Sequence, residues 1–349
     1  MGEAIIPRKA KINHISVENN GRSWTQSNIA SGDFSCLVHA NALWVAGDGQ
    51  NSGQTTTGIF YSTDGKTWTQ SNITNGYFQG IVNANGLWVA VGSNNSSDGY
   101  KGIYYSIDGK TWVQSNITSG GFNCLVNANG LWVAGNINTG LYYSYDGKYW
   151  ENSNIVDKHI MCICYANGLW VASMHLQRGI YYSEDGKTWV QSNLTNKSIA
   201  YVANANGLWT AGTYGNGDST NGGLYYSEDG KTWMQSNVTD VGVYNLLNAN
   251  GLWVAACGHN ASPGGLYYSI DGKVWKISNI TRGVFSGLNY ANGVWIAGDL
   301  SPGGLYYSTD GKVWIKISSG RFGSVANADG LWVAGGYSGL YYSALIKES

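Results

Sequence analysis

Residues 102–135 read GIYYSIDGKTWVQSNITSGGFNCLVNANGLWVAG, and this stretch decides how the whole chain is read. Two turn signals punctuate it. Asp108-Gly109 separates the apolar run 102–106 from 111–115, and Asn129-Gly130 separates two further apolar runs. Both dipeptides tolerate the positive φ that a two-residue hairpin requires, so each predicts a β-hairpin. The unit just before it has the same form: a first strand over 78–84, an Asn85-Gly86 turn, a second strand over 87–91. After a variable loop, a third strand at 102–106 and a fourth at 111–115 complete it. Four short strands in succession, each nearly continuous in apolar residues, suit a sheet covered on both faces.

The phrase recurs along the chain. Its first tryptophan falls at Trp24, Trp68, Trp112, Trp150, Trp189, Trp233, Trp275 and Trp314. The second falls at Trp44, Trp88, Trp132, Trp170, Trp209, Trp253, Trp295 and Trp332. These two sets use all 16 tryptophans, and successive first tryptophans lie 38 to 44 residues apart. That period matches the roughly 40–45 residues of a four-stranded propeller blade. The expected fold is therefore all-β, an eight-bladed β-propeller of antiparallel blades, occupying 16–349 as one domain after an N-terminal extension at 1–15. The chain opens without a full Gly-Leu-Tyr-Tyr strand and closes with an extra one near its end. The last blade is thus expected to take three strands from the C-terminus and its fourth from residues 22–28, which removes both open edges of the ring.

Composition agrees with many short strands and tight turns: 50 Gly, 25 Tyr and only 3 Pro among 349 residues. A formal net charge of -1 argues against nucleic acid or an anionic membrane surface as the main partner. The N-terminal segment lacks the apolar core of a secretory signal, and no apolar run is long enough to span a bilayer. Five cysteines without zinc-site spacing read as buried free thiols rather than a disulfide framework or metal centre.

The recurring Ser-x-Asp-Gly-Lys-x-Trp phrase, as at Ser62 to Trp68, resembles the Asp-box (BNR) repeat found in sialidase-type and other propellers. Seven copies occur, one residue shorter between Asp and Trp than the usual pattern, and 19–24 forms a degenerate eighth. The resemblance implies that Asp64, Asp108, Asp146, Asp185, Asp229, Asp271 and Asp310 are hairpin residues remote from any ligand. It implies architecture rather than activity.

Catalysis finds little support. Sialidases of this resemblance need three convergent arginines, whereas Arg8, Arg22, Arg178, Arg282 and Arg321 do not match those placements. A glycosidase needs two carboxylates roughly 5–10 Å apart; Asp33, Asp98, Asp218, Asp240 and Asp299 are scattered over loops. The histidines show no metal spacing, and residues 215–221, with one Asp, read as a loop rather than a calcium site. No catalytic residue, metal or cofactor is expected.

Topology puts the Asn-Gly and Asp-Gly-Lys turns on one face. The second-to-third-strand loops and the blade-to-blade loops share the other, and they differ in length and composition from unit to unit. Variable loops on a repeated scaffold are where recognition is expected. Two semi-regular positions stand out, one just before the recurring Phe and one two residues after it. They supply the candidate ligand-binding residues Asp33, Tyr77, His159, Tyr201, Asn245 and Arg321. The expected function is non-catalytic binding of a glycan or cell-surface receptor, with repeated weak sites gaining avidity. A protein-interaction or structural scaffold is the alternative, and a glycosidase the third reading. The Asn-rich composition is similar to propeller modules of bacterial and phage surface or tail assemblies, whose other subunits would then be partners.

Overall fold

A computed structural model describes residues 21–49, 57–93, 101–176, 178–215, 222–259 and 262–344. The expected extension at 1–15, Asp98, Asp218 and most of the 215–221 loop lie outside the described residues. The described chain forms eight four-stranded antiparallel sheets arranged as a closed ring, with no helix among them. Blades 1 to 7 span 34–70, 78–114, 122–152, 160–191, 199–235, 243–277 and 285–318. Blade 8 takes its first three strands from Phe322–Ala328, Leu331–Gly336 and Gly339–Ala344, and its outermost strand from Thr25–Gln26. Thr25 pairs with Tyr342 and Gln26 with Tyr341, so the split last blade is as expected. Outer strands are shorter than expected: 111–115 contains only Val113–Gln114 as strand. A two-residue outer strand leaves little edge for another chain to pair with.

Each blade is inserted between two others, and the burial follows. Second strands such as Leu43–Asp48 and Leu131–Asn136 are buried along their whole length. Every blade-to-blade interface holds its own apolar cluster. Between blades 1 and 2, Leu43 and Val45 pack against Phe78, Ile81, Trp88 and Trp112. At the ring closure, Val333 and Leu340 of blade 8 meet Phe34, Trp44 and Trp68 of blade 1. All tryptophans but Trp24 are buried, which accounts for their strict recurrence.

Two polar devices complement this packing. In the Ser-x-Asp-Gly-Lys-x-Trp hairpin, Asp64 Oδ1 accepts from the Lys66 and Thr67 amides at 2.8 and 2.7 Å. Ser62 Oγ accepts from the Gly65 amide, and Trp68 Nε1 donates to the Gly65 carbonyl. Slight burial works against ionisation, yet the backbone donors win and hold these carboxyls low, Asp185 at about 2. Four residues after seven of the eight first tryptophans, Trp314 excepted, an asparagine clamps the next blade. Asn116 Nδ2 donates to the Trp150 carbonyl at 2.9 Å while Trp150 N–H donates to Asn116 Oδ1 at 2.8 Å. Asn28, Asn72, Asn154, Asn193, Asn237 and Asn279 repeat this bond pair. Ser318 stands at the eighth position, so the blade 7–blade 8 junction lacks the clamp. There Arg22 lies 4.7 Å over the Tyr307 ring, replacing the lysines that cover tyrosines at the other junctions. These lysines, read from sequence as solvated hairpin residues, therefore also contact the neighbouring blade.

Candidate functional site

The first strands line the central channel, and their local geometry decides what the channel presents. Each begins with a β-bulge. In blade 2, Phe78 pairs with Gly92 and Gly80 with Val91, leaving Gln79 unpaired between them. The same shift occurs in all eight blades. A bulge re-aims one side chain, and here the bulged residues, among them Ser35, Gln79, Asn123, Tyr244, Ser286 and Gly323, line the channel cavity. The residue after the bulge lines it too. That second ring includes Cys36, Gly80, Cys124, Cys162, Tyr201, Asn245, Gly287 and Ser324. The cavity holds about 800 Å³ and opens among the variable loops, where Asp33, Gly49, Tyr214, Leu300 and Tyr337 contribute.

The polar side chains of these rings also stitch neighbouring first strands together. Ser35 Oγ donates to the Phe78 carbonyl, Asn123 Nδ2 to Ile160, Asn245 Nδ2 to Ser286 and Ser324 Oγ to Phe34. Adjacent first strands share no ladder, so these bonds satisfy carbonyls that would otherwise face the channel. Deeper positions, Val38, Val82 and Val126, are apolar.

The wall is unequal around its circumference. On the side of blades 4 to 6 an aromatic arc runs across the loops. His159 and His175 stack edge to face with centroids 5.1 Å apart, His175 lies 4.6 Å from Tyr214, and Tyr214 lies 6.1 Å from Tyr244. Burial lowers both histidines, and the His175 charge lowers His159 further, which favours neutral imidazoles. Burial raises Tyr244 to about 12 and Tyr201 higher still, so both remain phenols. The first strands of blades 7, 8 and 1 present the smaller Ser286, Gly287, Gly323, Ser324, Ser35 and Cys36, with Leu300, Tyr337 and Asp33 in the loops beside them.

The six residues singled out from sequence are not all brought together. Asp33, Tyr201 and Asn245 line the cavity. His159 stands beside it, 3.4 Å from Asn123 Nδ2 and stacked on His175. Arg321 lies 5.3 Å over the ring of Tyr337, itself a lining residue. Tyr77 is outside the lining, and its carbonyl accepts from the Ser93 amide. Asp33 is the only acid in the lining among the described residues, and burial raises its carboxyl to about 6. Sequence reasoning missed His175, Tyr214, Tyr244 and the bulged ring.

The remaining chemistry is spent on structure. Buried Asp299 accepts from the Val284, Ser301 and Gly303 amides, holding its own loop, and Asp240 is exposed. Burial raises the thiols of Cys36 and Cys164 to about 12 and Cys162 to about 11. Such thiols are poor nucleophiles. Among the described residues, no group of three or more His, Cys, Asp or Glu is placed to hold a metal ion.

No family model and no curated protein matches the chain. Solved structures do. The computationally designed Ika8 protein superposes with a TM-score of 0.67 at 10% identity, over 91% of this chain and 98% of that one. YCF48 bound to D1 peptide follows at 0.57 and 13%, over 93% and 95%. The extracellular domain of the putative one-component system BT4673 from B. thetaiotaomicron gives 0.58 and 14%, over 78% of this chain and 39% of that one. At these identities the likeness is one of fold.

Proposed function

We propose that this propeller is a non-catalytic recognition module that binds a carbohydrate at the channel mouth of its variable-loop face. The observation carrying this reading is the juxtaposition of an aromatic arc, His175, Tyr214 and Tyr244, with a polar-lined cavity of about 800 Å³. Sugars offer an apolar C–H face for aromatic rings and a rim of hydroxyls for convergent polar groups, and such a cavity is of ligand size. The unequal wall favours one principal site over the eight equivalent weak sites that the repeat suggests. A lone lining carboxylate among the described residues supports binding over glycoside hydrolysis, which needs a second. The resemblance to the Asp-box repeat accords with this division of labour, hairpins on one face and recognition on the other.

A protein partner is the second reading, favoured by the fold's likeness to YCF48, which is bound to a peptide. On the hairpin face Ile107, Tyr145, Tyr149 and Ile270 are exposed, which suits attachment to a larger assembly. A glycan array probed with the wild-type chain and a Tyr214→Ala/Tyr244→Ala variant tests the proposal. Binding by the wild type and loss in the variant is expected. Silence across the array, with a protein captured instead, would replace it with the second reading. Turnover of chromogenic glycosides, abolished by Asp33→Asn, would establish an enzyme.

A further inference from the structure

Four glycines line the cavity among the described residues, and they are not alike. A Cβ at Gly49 would meet the Ser35 side chain at 2.2 Å. A Cβ at Gly80 would meet Val91 at 3.1 Å, and one at Gly287 would meet the Gly323 backbone at 3.3 Å. At Gly323 a Cβ would find only Leu300 and Ser286 Oγ, at 3.8 and 3.9 Å, and its φ is not in the left-handed region. Neither backbone nor packing demands glycine there. Every other blade carries a side chain at this bulged position. Its absence in blade 8 opens a slot in the wall opposite the aromatic arc.

Beside the apolar Leu300 side chain, the polar groups around that slot share one chemistry. The Ser286, Ser324 and Ser35 hydroxyls spend their protons on the Gly323, Phe34 and Phe78 carbonyls, which leaves each presenting lone pairs. Asp33, one residue before Phe34, adds a carboxylate with no basic side chain within 4 Å among the described residues. Its amide contacts the Asp48 carboxylate, a second negative group. The nearby cation, Arg321, is stacked on Tyr337. A sector of acceptors with a half-buried carboxylate that no described basic side chain pairs calls for a ligand group rich in donors and positively charged. An ammonium supplies three donors and one charge.

Building on the carbohydrate reading, we infer that the Gly323 slot is a subsite for a sugar unit bearing a free amine, with Asp33 as its counter-ion. The sugar ring fills the space that a side chain at 323 would occupy, and its amine meets Asp33 and the serine oxygens. Titration calorimetry with glucosamine oligomers and their N-acetylated counterparts tests this, because acetylation removes the charge and two donors while keeping the ring. The free amines are expected to bind about tenfold more tightly, the factor that one charge-assisted contact supplies. Asp33→Asn should erase that preference. Gly323→Leu should abolish binding while keeping the wild-type melting temperature, and Gly323→Ala should weaken it only slightly. Equal binding of both oligomers, or a preference that survives Asp33→Asn, would overturn the inference while leaving carbohydrate recognition standing. If neither these oligomers nor any arrayed glycan binds, the underlying reading falls as well. A lysine-rich peptide that binds with the same dependence on Asp33, where sugars do not, would also overturn it.

Discussion

Removing one inter-blade clamp should cost more than its two hydrogen bonds suggest. In Asn116→Ala the Trp150 N–H and C=O lose their partners at 2.8 and 2.9 Å. A satisfied pair contributes about 1–3 kcal/mol net, and leaving partly buried backbone groups unpaired costs about 1–3 kcal/mol each. Partial access of water to this junction places the total at about 3 kcal/mol. For a chain of 349 residues unfolding as one unit, the unfolding entropy is about 0.7 kcal/mol per kelvin, so the midpoint should fall by about 4 °C. Asn116→Asp should be no milder, because a carboxylate oxygen would then face the Trp150 carbonyl. Calorimetry reads both, and combining Asn116→Ala with Asn237→Ala, at a distant junction, should roughly double the shift. A fall of under 1 °C would mean that the clamps record the packing of the blades without holding it.

Other outcomes follow from single residues. Ala42 occupies the turn position that glycine fills in the other blades, at a φ of 56°; Ala42→Gly should gain about 0.5–1 kcal/mol in denaturant unfolding by relieving that conformation. Asp33 is raised by burial to about 6 from 3.8, so folding stability should fall as pH rises between those values. Asp33→Asn should then be more stable than wild type at pH 7 by about 1–2 kcal/mol after allowance for solvent screening, with no gain below pH 4. Asp185 moves the other way, to about 2. Its contribution, about 0.5–1 kcal/mol given its exposure, is present above about pH 4 and lost as pH falls through 2. The difference between wild type and Asp185→Asn in acid titrations should close over that range.

Much of the ring was legible because its determinants are local and repeated. Asn-Gly and Asp-Gly specify hairpins by residue type, and each buried tryptophan marks a fixed place between blades. The split last blade could be read because 339–343 repeats a third strand after the count is otherwise complete. The channel position two residues after the recurring Phe was also readable, since Tyr201 and Asn245 sit there at a constant register. The bulged position was not. Ser35, Gln79, Met161, Tyr244 and Gly323 share no chemistry, and the bulge that aims them inward is a property of strand register. His175 and Tyr214 were hidden for another reason: each directly follows the second strand of its blade, in loops of different composition, and the packing of blade 4 on blade 5 brings them to 4.6 Å. Tyr77 looked equivalent to Asp33 in sequence, yet it lies outside the cavity lining.

Mapping a bound array ligand by hydrogen exchange tests the central claim most directly. Protection is expected in the first strands of blades 4 to 8 and blade 1, and in the loops carrying His175, Tyr214 and Tyr337. The hairpins at Asp64 to Asp310 should exchange as in the free chain. Protection confined to those hairpins or to the outer strands, with the channel mouth unchanged, would contradict it.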